Sequence, residues 1–454
     1  MTFLDIQWIV VVAVLLLFFF ISPWAKSAKD FFSGSEGKDK APNALILTSG
    51  LVISWIFAKS IVNASDLGYS FGLLGGIGYA GYYFSFLVAG FVIYNLRTKG
   101  KWNSIHDFLT GKFGTTATRV FSVLIAIRLF NEVWSNTMVI GGFFGETGTT
   151  SYYWAIIVFT VLTLAYVIKG GLKSSLITDF IQMILFVLLL VLILGFVLPT
   201  MTNKPIDATM LGTWDFSHGL DFLVLALIQS FSYPFHDPVL TDRGFISDPK
   251  TTRKSYIWAT VIGIFCIVAF SLVGVSMRMN GAESSSIASL TKGFGIVAFV
   301  SMNLIMITSA TSTLDSSFSS FSKLMVVDIV KNKSITIQKG RIAMIALAVL
   351  GTIPVFLNAE ILKATTISGT MVLGLAPIFL FWKLNVPKIS FFLAIGTGIF
   401  CGIAQILNWV PSTWFWTSGK YADLLYINVV GLLLATALYL LPYFWMKWTR
   451  SSEA

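Results

Sequence analysis

Long apolar runs separated by short polar connectors fill the whole of this 454-residue chain. Thirteen runs are long enough to cross a bilayer as helices. They lie near 6–22, 44–64, 72–96, 118–144, 152–169, 175–199, 220–241, 255–278, 294–330, 341–357, 361–382, 389–408 and 424–446. Three of them break the apolar pattern in informative ways. Within the ninth, the stretch SATSTLDSSFSSFSKLMVVDIVK places Ser309, Ser312, Thr313, Ser316 and Ser320 at spacings of three and four. That spacing puts the hydroxyls on one helix face, with Asp315 beside them. The second run holds Gly50, Ser54, Lys59 and Ser60. The seventh reads LIQSFSYPFHDPVLTDRG, where Pro234 and Pro238 bracket Phe235, His236 and Asp237. Two prolines four apart remove backbone donors and argue against a continuous helix. Runs two and seven each open a set of five, two to six and seven to eleven. Interruptions at matching places in two halves predict an inverted repeat with a site near the bilayer midplane.

Composition agrees. The chain is 56% hydrophobic and 11% charged, against about a quarter charged in soluble domains. The expected fold class is therefore an all-α polytopic membrane protein, one transmembrane domain over residues 1–454 and embedded in a lipid bilayer. Run one has no basic flank before it, while Lys26 and Lys29 follow. It reads as a retained span with its N-terminus outside. Alternate connectors carry Lys26, Lys29, Lys38 and Lys40; Arg97, Lys99, Lys101 and Lys112; Lys169 and Lys173; Arg243, Lys250, Arg253 and Lys254; Lys331, Lys333 and Lys339; Lys383 and Lys388; Lys447 and Arg450. The positive-inside rule makes these connectors and the C-terminus cytoplasmic, in a plasma or inner membrane. The net charge of +10 is thereby explained without nucleic acid as a partner. Cys266 and Cys401 fall inside apolar runs, so no disulfide framework or zinc site is expected. The longest connectors, Ser22–Asn43 and Thr200–Gly219, read as polar linkers, and Trp24, Trp102, Trp214, Trp409, Trp414 and Trp448 mark an interfacial aromatic belt.

Six charged residues, Lys59, Arg128, Glu132, Asp179, Asp237 and Asp315, fall inside spans. Each costs roughly 2.5–3.5 kcal/mol at a lipid-facing helix centre, so they face the bundle interior. Arg128 and Glu132, four apart, are placed to pair. Lys59 has no local partner: it is a solute or gate group, or it pairs with Asp315, Asp237 or Glu132. Hydroxyl and carbonyl oxygens suit a small hard cation, so the stripe from Ser309 predicts an ion pathway. An enzyme is not expected. His106 and His218 read as loop residues, and no HExxH or Cys–His pair exists. A passive channel or a proton-coupled carrier using Asp179, Asp237 and His236 is the competing reading. Hydroxyls ligate cations without titrating, which argues against protons as the driver.

Four motifs then appear in order. Gly170-Gly171-Leu172-Lys173 followed by Thr178-Asp179-Phe180-Ile181-Gln182 resembles the GGLK…TD.IQ signature of the sodium/solute symporter family. The Ser309–Lys331 stretch is similar to that family's eighth core helix, Gly68–Gly72 to the turn after its first, and Gly374–Pro377 with Phe381–Lys383 to the end of its tenth. The resemblance implies the inverted five-plus-five, leucine-transporter-like fold: an extra N-terminal helix at 6–22, repeats at 44–199 and 220–382, and two further helices at 389–446. It implies symport of sodium and a small organic solute by alternating access. For Na+ it implies side-chain oxygens of Ser312 and Thr313 with carbonyls of Ser309, Ile53 and Ile56. In members with a second sodium the site uses the aspartate matching Asp179 and hydroxyls one turn on, here Asp315 and Ser316, so an acid stands where a serine would serve. The solute site implied is Trp55, Lys59, Ser60, Tyr79, Tyr82, Glu132, Tyr233, His236, Asp237, Thr366 and Gly369. Lys59 suits a carboxylate, which favours an amino acid such as proline or a small monocarboxylate over a sugar. His236 and Asp237 equally suit an amine.

Overall fold

The computed structural model describes residues 2–34, 41–329, 335–357 and 368–452. Its major helices are α1 (Phe3–Ile21), α2 (Ala44–Trp55), α3 (Ala58–Phe71), α4 (Leu73–Thr98), α5 (Ile105–Phe113), α6 (Thr115–Phe144), α7 (Thr150–Gly170), α8 (Leu172–Val197), α9 (Leu220–Gln229), α10 (Pro238–Arg243), α11 (Pro249–Met279), α12 (Ile296–Lys323), α13 (Ile337–Thr352), α14 (Leu375–Leu380), α15 (Ile389–Ile406) and α16 (Ala422–Ser452). Among the described residues ten helices are long and apolar enough to cross a membrane, or eleven with α2 and α3 counted as one bent span. The expected count of thirteen is not confirmed among the described residues. The seventh run is divided into pieces too short to pass alone, and the eleventh lies partly outside the described residues.

Both expected interruptions exist. α2 ends at Trp55, α3 starts at Ala58, and their axes differ by 62°. The intrahelical ladder stops where the Ile56 N–H donates to Val52, and it resumes with Ser60 and Ile61 donating to Phe57. The carbonyls of Ile53 and Ile56 therefore lie at an open helix end. The second interruption follows the prolines. α9 stops at Gln229, a tight turn spans Tyr233–His236, and α10 begins at Pro238. Asp237 caps α10 by accepting from the Val239 N–H at 2.9 Å, a bond that stabilises the helix start by about 1 kcal/mol.

Small residues bring the central helices together. On α3 and α11, Gly68 faces the Ser271 backbone and Gly274 faces the Ser65 carbonyl, so that a Cβ at either position would overlap main-chain atoms. Lipid supplies little hydrophobic drive between helices, and such close van der Waals contact takes its place. Gly72, at φ +66°, turns the chain from α3 into α4, a left-handed conformation that glycine adopts without strain. α12 is buried on nearly every face, packs against α8, α6 and α13, and is the central post of the bundle. α1 joins it through the Gln7 Nε2 donating to Asn303 Oδ1 at 2.9 Å. Trp24, Trp214, Trp409, Trp414 and Trp448 are exposed as a belt requires. Trp102 instead packs edge-on against Phe108, with ring centroids 5.9 Å apart.

Candidate ion and solute sites

The hydroxyl stripe faces α2 and α8. Ser312 Oγ donates to Asp179 Oδ1 at 2.5 Å, and Thr313 Oγ1 donates to the Ser309 carbonyl at 2.9 Å. Each hydroxyl thus spends its proton on an oxygen and keeps lone pairs for another partner. Ser309 Oγ is buried with no hydrogen-bond partner among the described residues. α12 also packs against α2, where Ser54 Oγ lies 3.3 Å from Ser312 Oγ. The helix break of Ile53 and Ile56 and the stripe of Ser309, Ser312 and Thr313 are therefore on facing elements. Oxygen donors on both sides fit a sodium ion.

One turn further along α12, Asp315 is directed to α7 and α8. Tyr166 Oη donates to its Oδ2 at 2.6 Å, Thr178 Oγ1 to the same oxygen at 3.0 Å, and Ser175 Oγ to its Oδ1 at 2.8 Å. Asp179 and Ser316 meet a residue the sequence reading placed elsewhere. Arg243, counted there as a cytoplasmic loop charge, is 1% exposed. Its Nη2 donates to Asp179 Oδ2 at 2.8 Å and to Ser316 Oγ at 2.7 Å, and its Nη1 donates to Ser54 Oγ at 2.9 Å. The proline break explains the error: α10 turns its last residue back into the bundle. A run of charges at a predicted span end carries no signal of that turn. Lys169 is likewise buried rather than in a loop, its Nζ donating to the Phe19 carbonyl at 2.5 Å.

A cavity of about 270 Å³ lies on the other side of the α2–α3 break. Trp55, Lys59, Ser60, Tyr79, Tyr82 and Tyr233, six of the residues expected at the solute site, line it. Lys59 is paired within the protein: its Nζ donates to Glu132 Oε1 at 2.8 Å and to Ser135 Oγ at 3.0 Å. Glu132 also pairs with Arg128, whose Nη2 reaches Asp237 Oδ2 at 3.2 Å. Trp55 Nε1 donates to that same oxygen at 3.0 Å. Two cations and two carboxylates form one net-neutral buried network, and such mutual pairing is what makes four interior charges tolerable. Glu132 and Asp237 thus stand behind the cavity. His236 is buried beside them, its Nδ1 2.5 Å from the Tyr233 carbonyl, and does not line it. Gly369 packs against the side chain of Gln229, which does line it. Thr366 lies outside the described residues.

Several lining residues were not foreseen. Phe57, Asn63, Asp66, Ser70, Phe222, Gln229, Lys420 and Tyr421 all contribute. Part of this was legible: Lys59, Asn63, Asp66 and Ser70 recur at four, three and four, a polar stripe along α3. Lys420 and Tyr421 come from the segment before α16, and no periodicity links them to α3. His106 is another correction. It is buried on α5 rather than in a loop, 3.2 Å from Ser122 Oγ. Lys323 at the end of α12 pairs with Asp242 of α10 at 2.5 Å, closing the bundle at the end opposite the cavity.

Residues 43–209 match the model of the sodium:solute symporter family. No curated protein sequence matches the chain. Among solved structures, a Na+-coupled sialic acid symporter in a substrate-bound outward-open state superposes with a TM-score of 0.71 at 17% identity, covering 96% of each chain. Mhp1, a nucleobase-cation-symport-1 family transporter closed around bromovinylhydantoin, superposes with a TM-score of 0.59 at 11% identity, covering 94% of this chain and 95% of that one. At such identities these likenesses bear on fold alone, and the fold they share is the leucine-transporter-like helical bundle expected above. With the four ordered motifs, the match over residues 43–209, a little over a third of the chain, makes this chain similar to the sodium:solute symporter family, in line with a membrane-embedded transporter that uses Na+.

Proposed function

We propose that the protein imports a small organic solute together with sodium by alternating access. The observation that carries this reading is that one helix break serves two sites. Ser54, beside the break carbonyls of Ile53 and Ile56, faces Ser312 of α12, while Trp55, Phe57, Lys59 and Ser60 line the cavity. A cation that orders the break also fixes the solute-binding side chains, and by linkage the solute strengthens cation binding in return. Ser309, Ser312, Thr313, Ile53 and Ile56 are proposed to hold the ion.

The cavity is at or below the small end of ligand sites, about 300–1,000 Å³, and its walls are chiefly aromatic with scattered hydroxyls and amides. A compact solute such as an amino acid or a small monocarboxylate fits that volume. Its carboxylate would compete with Glu132 for Lys59, and its body would rest among Trp55, Tyr82 and Tyr233. One sodium entering down an inside-negative potential of about 100 mV contributes roughly 2.3 kcal/mol, and each tenfold gradient about 1.4 kcal/mol more. Together these drive accumulation on the order of 10³-fold for each sodium coupled one-to-one.

A proton-driven carrier is less well supported. The hydroxyls of Ser309, Ser312 and Thr313 can ligate a cation but do not titrate, so the stripe itself offers no proton carrier. The test is thermal stability of purified protein across a solute panel, in sodium and in potassium. Stabilisation by sodium, deepened by one solute, is expected because a ligand of the folded state raises stability by mass action. Solute stabilisation that follows pH and ignores sodium would replace this reading with the proton-coupled one.

A further inference from the structure

The oxygen cluster beside the proposed sodium site already contains a cation. Arg243 brings both terminal nitrogens of its guanidinium into a set of oxygens from three helices: Ser54 on α2, Asp179 and Ser175 on α8, and Ser316 on α12, at 2.9, 2.8, 3.5 and 2.7 Å. Both the arginine and Asp179 are buried. We propose that Arg243 is a built-in cation standing where a second sodium ion would bind, so that each transport cycle carries one sodium rather than two. The inference rests on the sodium-symport reading above and fixes its stoichiometry.

Two arguments support it. The first is occupancy. A sodium ion held by Asp179 Oδ2 and Ser316 Oγ would need the space that Arg243 Nη2 fills, and two positive charges at that separation repel strongly in a medium of low dielectric constant. The second is lone-pair use. Arg243 donates into Ser54, Ser316 and Asp179. Asp315, which stands where a hydroxyl ligand is expected, is taken up by Tyr166, Ser175 and Thr178. Few acceptor positions are left for an added ion. Ser312 bridges this cluster and the proposed sodium site, since its hydroxyl donates to Asp179.

A fixed guanidinium differs from an ion in one functional respect: it cannot leave. It tethers α10 to α8 and α12 throughout the cycle, and it contributes no driving force from the gradient. Ser54, at the α2–α3 break, is held by Arg243 as well, so the built-in cation also positions the element on which the transported ion acts.

The experiment counts radioactive sodium bound per chain by equilibrium dialysis of the purified full-length protein, with potassium keeping the ionic strength constant. The wild type is expected to bind one sodium without cooperativity. Arg243→Ala vacates the oxygen set and is expected to bind two, whereas Arg243→Lys, which keeps a fixed charge there, is expected to bind one. Two sodium ions on the wild type overturn the proposal, and that measurement needs no variant to fold. A folded Arg243→Ala protein that still binds one also overturns it, because the cluster would then be no cation site. A wild type that binds no sodium at all would instead remove the symport reading on which the proposal rests.

Discussion

At the scale of single residues, the account turns on where hydroxyl protons go. Ser312 and Thr313 each donate to an oxygen, to Asp179 and to the Ser309 carbonyl, which leaves lone pairs as ligands. Ser312→Ala with Thr313→Ala removes both side-chain oxygens while deleting little volume. Apparent sodium affinity, read from thermal stability against sodium concentration, is expected to fall about tenfold or more, or about 1.4 kcal/mol. An unchanged midpoint would mean that the ion binds elsewhere. Spacing made this stripe legible, because hydroxyls at three and four in an apolar run have few structural explanations. It made Lys59 legible as a buried cation with Asp315, Asp237 or Glu132 as candidate partners, of which the structure gives Glu132. Arg243 was not legible. Its neighbours Asp242 and Gly244 look like any cytoplasmic connector, and only the geometry after the Asp237-Pro238 break brings it inward.

At the scale of elements, the two interruptions were readable because proline and interior polar residues have definite backbone consequences. The boundaries were less so. The second run was read to end near 64, but α3 continues to Phe71, since Asn63, Asp66 and Ser70 face the cavity and need no lipid-compatible side chain. The contact of α3 with α11 depends on Gly68 and Gly274. Gly274→Val places a branched side chain against the Ser65 carbonyl and is expected to destabilise the fold by roughly 1–3 kcal/mol. A lowered thermal midpoint in detergent, with less solute-dependent stabilisation, is the expected outcome. A midpoint equal to that of the wild type would show that the helices have room to separate. The ion pair of Lys323 with Asp242 joins α12 to α10 at the far end from the cavity, so opening on that side must break it.

At the scale of the whole molecule, the class and the order of helices follow from the hydrophobic pattern, because a bilayer permits few architectures for a chain this apolar. The cavity is less predictable. It draws Phe222 and Gln229 from α9 and Lys420 with Tyr421 from the segment before α16, residues 150 or more positions from the α3 stripe in sequence. Contacts of that range depend on how the helices pack, which a periodicity cannot specify. The central claim is that solute movement is driven by sodium. Proteoliposomes holding the full chain, preloaded with potassium and diluted into medium with the solute selected by thermal shift, test it most directly. An inward sodium gradient is expected to accumulate that solute above its external concentration, and collapsing the gradient with a sodium ionophore is expected to release it. Uptake that only equilibrates, at a rate indifferent to sodium, would contradict the account.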